Sequence, residues 1–245
     1  MPEAFFSFHA ELNDFLSYGV QKDILVSFDK HQTVKHLLES LGVPHTEVDV
    51  IIVNGESVDF RKRLQTGDRV DVYPSGEAVD VVQLIRLRPK PLSEPRFVLD
   101  GHLGKLATYL RLLGFDTLYR NDYDDDELAE ISSGEQRILL TRDRGLLKRN
   151  LVIHGYCVRE KKPRKQVVEV LKRYKLATRA EPFSRCAHCN GLLVTIPKTE
   201  IMDRLEPKTK LYYHEFQICP DCDQIYWKGS HFDQMEKFIE SLLLA

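Results

Sequence analysis

Two short cysteine pairs, Cys186-Ala-His-Cys189 and Cys219-Pro-Asp-Cys222, constrain this 245-residue chain more than any other feature. Each pair makes a knuckle, and two knuckles brought together offer four thiolates to one tetrahedral ion. Four sulfurs close the coordination sphere, so the pattern predicts a structural Zn²⁺ rather than a catalytic one. The 29 residues between the pairs predict a longer hairpin or loop than the usual spacing of about 15 to 20. A redox Cys-x-x-Cys is the competing reading, but two pairs in one short segment suit a single metal better. The fifth cysteine, Cys157, lies in the apolar stretch GYCV and reads as a buried core thiol. His188, His214 and His231 are nearby spare ligands that read more simply as surface or polar-network residues. Tyr212, Tyr213, Phe216, Tyr226, Trp227 and Phe232 crowd the same segment. They suit stacking on unpaired bases, but a small domain also needs aromatics to build a core.

Thiols that bind metal instead of pairing as disulfides point to a reducing, cytoplasmic setting. No apolar stretch approaches a membrane span, and the start MPEAFFSFHAELNDF has no basic leader, so no membrane partner is expected. The 35 Lys and Arg nearly balance 37 Asp and Glu, yet the charge is divided along the chain. Residues 1–80 carry 7 basic and 14 acidic side chains, whereas 142–179 carry 13 basic and 3 acidic. The second stretch is basic enough to attract a polyanion, although a solvated helix face has the same composition.

The first segment alternates AFFSF, ILVSF, the helical TVKHLLESLGV with Thr33 as N-cap, VDVIIVNGESVDF and GDRVDVYP. Asn54-Gly55 marks a tight turn, and the order β, β, α, β, β predicts one helix packed on a small sheet. After the Pro-rich joint RLRPKPLSEPR, strands and helices alternate: FVLD, GKLATYLRLLG closing on Gly114, TLYR, DDDELAEISSG closing on Gly134, RILLTRD, RGLLKRN and GYCVRE. Such alternation is the pattern of an α/β fold with a parallel sheet. The basic helix PRKQVVEVLKRYK follows, then the cysteine segment and the amphipathic FDQMEKFIESLLL. The domains expected are therefore residues 1–78, a linker at 79–95, an α/β domain at 96–180 and a metal-binding segment at 181–245.

Carboxylates stand at three comparable places: Asp100 after FVL, the cluster Asp124, Asp125, Asp126 and Glu127, and Asp143 after ILLTR. Each alone also reads as a helix N-cap. In parallel sheets ligands bind beyond the carboxyl ends of strands, where several acids together call for a hard cation such as Mg²⁺ or Mn²⁺. Such an ion suits hydrolysis of a phosphodiester. Arg142, Arg144, Lys148 and Arg149 stand beside Asp143 to contact phosphate. Thr141 suits a hydrogen bond to Asp143, to a phosphate or to the following helix. GHLGK is too short between its glycines to be a nucleotide phosphate loop, and Leu106 stands where that loop needs Ser or Thr.

Two resemblances sharpen the reading. VNGESVDF followed by LQTGDRVDVYP resembles a ubiquitin-like β-grasp of the sulfur-carrier type, but PSGEAVDVV runs on where a carrier ends in free Gly-Gly. A docking module for a protein partner is expected there instead. The run FVLDGHLGKLATYLRLLGFDTLYRNDYDDDELAEISSGEQRILLTRDRGLL resembles the PIN-like RNase family named after the C-terminal region of the mutator-seven exonuclease (Mut-7). Its bacterial and archaeal members carry a β-grasp in front and a zinc ribbon behind, so the likeness runs almost end to end. The resemblance implies a PIN-like Rossmannoid parallel sheet and metal-dependent ribonuclease activity. It matches Asp100 to the first-strand aspartate and Asp143 to the Thr-Arg-Asp aspartate, with Asp125 or Asp126 as the middle acid. Asp100 and Asp143 would bind Mg²⁺ or Mn²⁺, while Cys186, Cys189, Cys219 and Cys222 would bind Zn²⁺. Lys105, Arg142 and Arg144 are candidate contacts to an RNA substrate, single-stranded or a tRNA or rRNA. The alternative is a non-catalytic RNA- or ribosome-binding adaptor whose zinc ribbon does the recognition.

Overall fold

The fold is described from a computed structural model covering residues 1–17, 19, 23–77, 79, 81 and 83–243, with no side-chain description at 230, 231, 233–235, 242 and 243. The chain forms two compact units, one of Met1–Glu94 with Asp124–Cys157, the other of Pro95–Tyr123 with Val158 onward.

In the first unit the N-terminal elements are β1 (Glu3–Phe8), β2 (Ile24–Ser27), α1 (Val34–Ser40), β3 (Val48–Val53), β4 (Glu56–Val58) and β5 (Arg69–Pro74). They form a mixed sheet of order β2-β1-β5-β3-β4, with β1 and β5 parallel and the other pairs antiparallel. Alternation along β1 and β5 buries Ala4, Phe6, Phe8, Val70 and Val72, while β3 is buried along its whole length. Thr33 caps α1 by accepting from His36 N–H, as its place before the apolar run predicts. Asn54 (φ 51°) and Gly55 (φ 88°) both take the left-handed backbone that a two-residue hairpin needs.

Further along are β6 (Phe97–Leu99), α2 (Gly104–Leu112), β7 (Thr117–Tyr119), α3 (Asp125–Gly134), β8 (Ile138–Thr141), β9 (Gly155–Cys157) and α4 (Pro163–Tyr174). The strands are short, buried and parallel: Phe97 pairs with Thr117 in β6–β7, and Leu139 with Gly155 in β8–β9. Gly114 (φ 90°) ends α2, where Phe115 N–H returns to Leu110 O. The left-handed residue after α3 is Gln136 (φ 52°), two places beyond the glycine expected to close the helix.

The last elements are β10 (Val194–Ile196), α5 (Lys198–Ile201), α6 (Pro207–Tyr212), β11 (Phe216–Ile218), β12 (Ile225–Trp227) and α7 (Ser230–Leu243). β10, β11 and β12 form a three-stranded antiparallel sheet. The long spacing between the cysteine pairs holds β10, α5, α6 and β11, and Ile201, Leu205 and Phe216 make a small core beneath them. Among the described residues, no helix is long and apolar enough to cross a membrane.

Candidate functional site

The cysteine centre is built by backbone turns. Cys186 and Cys219 are buried, Cys189 and Cys222 half-buried, and the four sulfurs lie within 4.8 Å of one another. The Cys186–Cys222 and Cys189–Cys219 separations are 3.6 and 3.3 Å. A tetrahedral zinc thiolate with Zn–S of about 2.3 Å spaces its sulfurs about 3.8 Å apart, so these two pairs need open by only a few tenths of an ångström to seat the ion. These residues fit a zinc ion. Burial pushes the Cys186 thiol up, but Tyr226 OH at 3.1 Å and the N–H groups of Cys189 and His188 outweigh it and hold it at about 7. Gly191 is required by closeness, since a Cβ there would stand 2.9 Å from Cys219 Sγ and closer still to Asp221. His188 and His214 are exposed outside this ligand group, and the His231 side chain lies outside the described residues.

The sequence reading missed two residues that join this knuckle to the turn between α2 and β7. Arg111 is 5% exposed and donates from Nε to Thr117 O (2.9 Å) and from Nη1 to His188 O (2.5 Å) and Ala187 O (3.3 Å). Its burial pulls the guanidinium pKa down, while Cys189 and Cys186 pull the other way. Asn190, buried beside Cys189, accepts from Thr117 N–H and donates to Asp116 Oδ1, both at 2.9 Å. The signal for Arg111 was its position on the apolar face of LATYLRLLG, where a charge needs a partner.

Asp100 follows β6, is 7% exposed and accepts from His102 N–H at 2.8 Å. The GHLGK glycines are packing residues: a Cβ on Gly101 would lie 2.9 Å from Asn121 O, and one on Gly104 2.6 Å from the Tyr119 hydroxyl. Tyr119 OH in turn donates to Gly101 O at 2.9 Å. Lys105 is exposed on the first turn of α2.

Asp143 stands two residues past β8 on an exposed loop. Its N–H donates to the hydroxyl of fully buried Thr141 at 2.9 Å, and its Oδ1 accepts from Gly145 N–H at 2.6 Å and Leu146 N–H at 3.4 Å. Oδ2 takes part in neither bond. Asp124 caps α3 by accepting from Glu127 N–H at 2.8 Å. Asp125 and Asp126 are exposed on the first turn and face Arg149, which lies 3.7 Å from Asp125 and pairs closely with Asp126. Asp125, Asp126 and Asp143 thus belong to the first unit and Asp100 to the second. Arg142 and Arg144 are both exposed, and the Arg144 guanidinium sits over the Phe15 ring. Among the described residues, the four cysteines are the group of three or more metal-ligating side chains gathered at coordination distance.

Comparison with protein families adds what geometry alone does not. The sequence model of the Mut7-C RNAse domain matches residues 95–239, well over half of the chain. The chain belongs to the Mut7-C RNAse family. The Mut7-C ubiquitin model matches residues 1–80, where the mixed sheet and α1 lie. No curated protein and no solved structure matches the chain. The family is one of ribonucleases, which makes RNA the substrate class its name carries.

Proposed function

We propose that this protein is a cytoplasmic, metal-dependent PIN-like ribonuclease that hydrolyses RNA phosphodiester bonds. Its nuclease domain would span residues 96–180, joined by a linker at 79–95 to the ubiquitin-like domain (1–78) and followed by the zinc ribbon (181–245). The observation that carries the reading is the Mut7-C RNAse match, within which Asp100 directly follows one parallel strand and Asp143 closely follows another. Asp100, Asp143 and one of Asp125 and Asp126 would hold Mg²⁺ or Mn²⁺, and an all-carboxylate donor set suits those hard ions. When bound, the ion supplies a lowered pKa for water and neutralises charge on the phosphate.

The chain's own groups prepare the site. Two backbone N–H groups hold Asp143 Oδ1, which orients the carboxylate, and neither of these bonds uses Oδ2. Lys105 and Arg142, both exposed, suit contacts to phosphate oxygens. Zinc on the four cysteines holds the ribbon together and takes no part in the chemistry.

The test is cleavage of labelled single-stranded RNA and of tRNA by wild type and Asp143→Asn, with Mn²⁺, Mg²⁺ or EDTA, both proteins retaining zinc. Metal-dependent cutting that falls at least a hundredfold in the variant is expected. No cutting, with RNA bound equally by both proteins, would replace the nuclease by an RNA- or ribosome-binding adaptor and return the acids to helix capping.

A further inference from the structure

The N-terminal domain of the first unit holds the loop that carries Asp143. Arg144, the next residue, lays its guanidinium 5.0 Å from the Phe15 ring centroid and donates from Nη1 to Phe15 O (2.7 Å) and from Nη2 to Asp14 O (3.0 Å). Four residues on, Lys148 Nζ donates to Glu39 O at 2.6 Å. Lys35 Nζ reaches Asn150 Oδ1 at 2.7 Å, and His45 stands between Glu39 Oε1 (2.8 Å) and Val152 O (3.1 Å). The series ends at Glu47, which is 0% exposed and accepts from Cys157 N–H in β9 at 2.7 Å.

These contacts form a built interface. A carboxylate is not buried completely without fixed partners, and the N–H it receives belongs to the strand beside β8. Arg144 and Lys148 give their donors to backbone carbonyls, which fixes the loop by position rather than by charge alone. Gly155 admits the approach, since a Cβ there would lie 3.3 Å from the Thr46 methyl and 2.7 Å from Leu147.

We propose that the ubiquitin-like domain is an internal support of the nuclease site: it positions the Asp143 loop through Arg144, Lys148 and Glu47. Arg144 is on this account a positioning residue, not a phosphate contact. The proposal rests on the ribonuclease reading for its kinetic arm, and its structural arm stands without that reading.

The experiment compares full-length wild type with Arg144→Met, Lys148→Met and Glu47→Gln by hydrogen exchange and by RNA cleavage. At least tenfold faster exchange over residues 143–149 is expected, with β3 and β5 protected as in wild type. In cleavage, kcat falls severalfold and KM stays unchanged. Wild-type exchange over 143–149 in Arg144→Met and Lys148→Met would overturn the proposal, as would a rise in KM alone in Arg144→Met. Should Glu47→Gln lose the protection of β3 and β5, the two cation variants decide. A wild type that cuts no RNA removes the ribonuclease reading, and the exchange data then decide whether the domain supports the loop.

Discussion

Single residues in this chain show how closeness, rather than chemistry, dictates identity. Gly101 and Gly104 look in sequence like part of a phosphate loop, yet each occupies a place where a methyl would strike Asn121 or Tyr119. Gly101→Ala should therefore destabilise the protein by about 1–3 kcal/mol in chemical denaturation, although alanine is ordinarily the easier residue to order. His154 offers a second check at this scale. Burial and the nearby Arg88 lower its pKa in the folded state. A depressed base is neutral when folded and takes up its proton on unfolding, so its contribution is present above about pH 6.5 and declines as pH falls through the folded value. Replacing His154 by Gln should flatten the stability profile below pH 6.5, read as urea midpoints across pH 4.5–8. An unchanged slope would show that other groups set the acid limit.

Among elements, the connection between the first cysteine knuckle and the α2–β7 turn carries the most weight. Arg111 and Asn190 together engage four backbone groups and the Asp116 carboxylate, and Thr117 is the first residue of β7, which pairs with the strand preceding Asp100. Arg111→Met leaves buried carbonyls unsatisfied and should cost about 3 kcal/mol. It should also speed zinc release to a chromophoric chelator, because a positive charge beside a dianionic zinc tetrathiolate is lost. Stripping zinc from wild type should accelerate exchange of the Thr117 amide together with the ribbon. If that amide stays protected, the turn is independent of the metal.

Across the whole molecule, the charge division reads as a binding property. Lys161, Lys162, Arg164, Lys165, Lys172 and Lys175 lie exposed on and around α4, whose buried face is Gln166, Val167, Val170 and Leu171. If RNA follows this face, log affinity falls steeply with log salt, and Lys165→Glu with Lys172→Glu should lower that slope by about 1–2. Equal slopes in wild type and the double variant would place the RNA elsewhere. The aromatics of the ribbon divide in the same way between structure and surface: Phe216 is core, whereas Trp227 and Tyr212 are 38% and 68% exposed.

Local chemistry made much of this protein legible from its residues alone. The capping threonine of α1, the Asn-Gly hairpin, the four clustered thiols and the short apolar runs of the parallel strands all follow from preferences that act over a few neighbours. The same holds for Asp100, directly after one parallel strand, and for Asp143, two residues after another. What the tertiary structure decided depends on partners distant in the chain. Arg144 stands among four cations from 142 to 149, and it gives two of its N–H donors to carbonyls of Phe15 and Asp14, about 130 residues earlier. Arg111 and Asn190 became a clamp only where residues 111–117 meet residues 187–190. A sequence pattern records what each residue prefers locally; which polar group completes a buried hydrogen bond is settled by long-range packing, which no local pattern encodes.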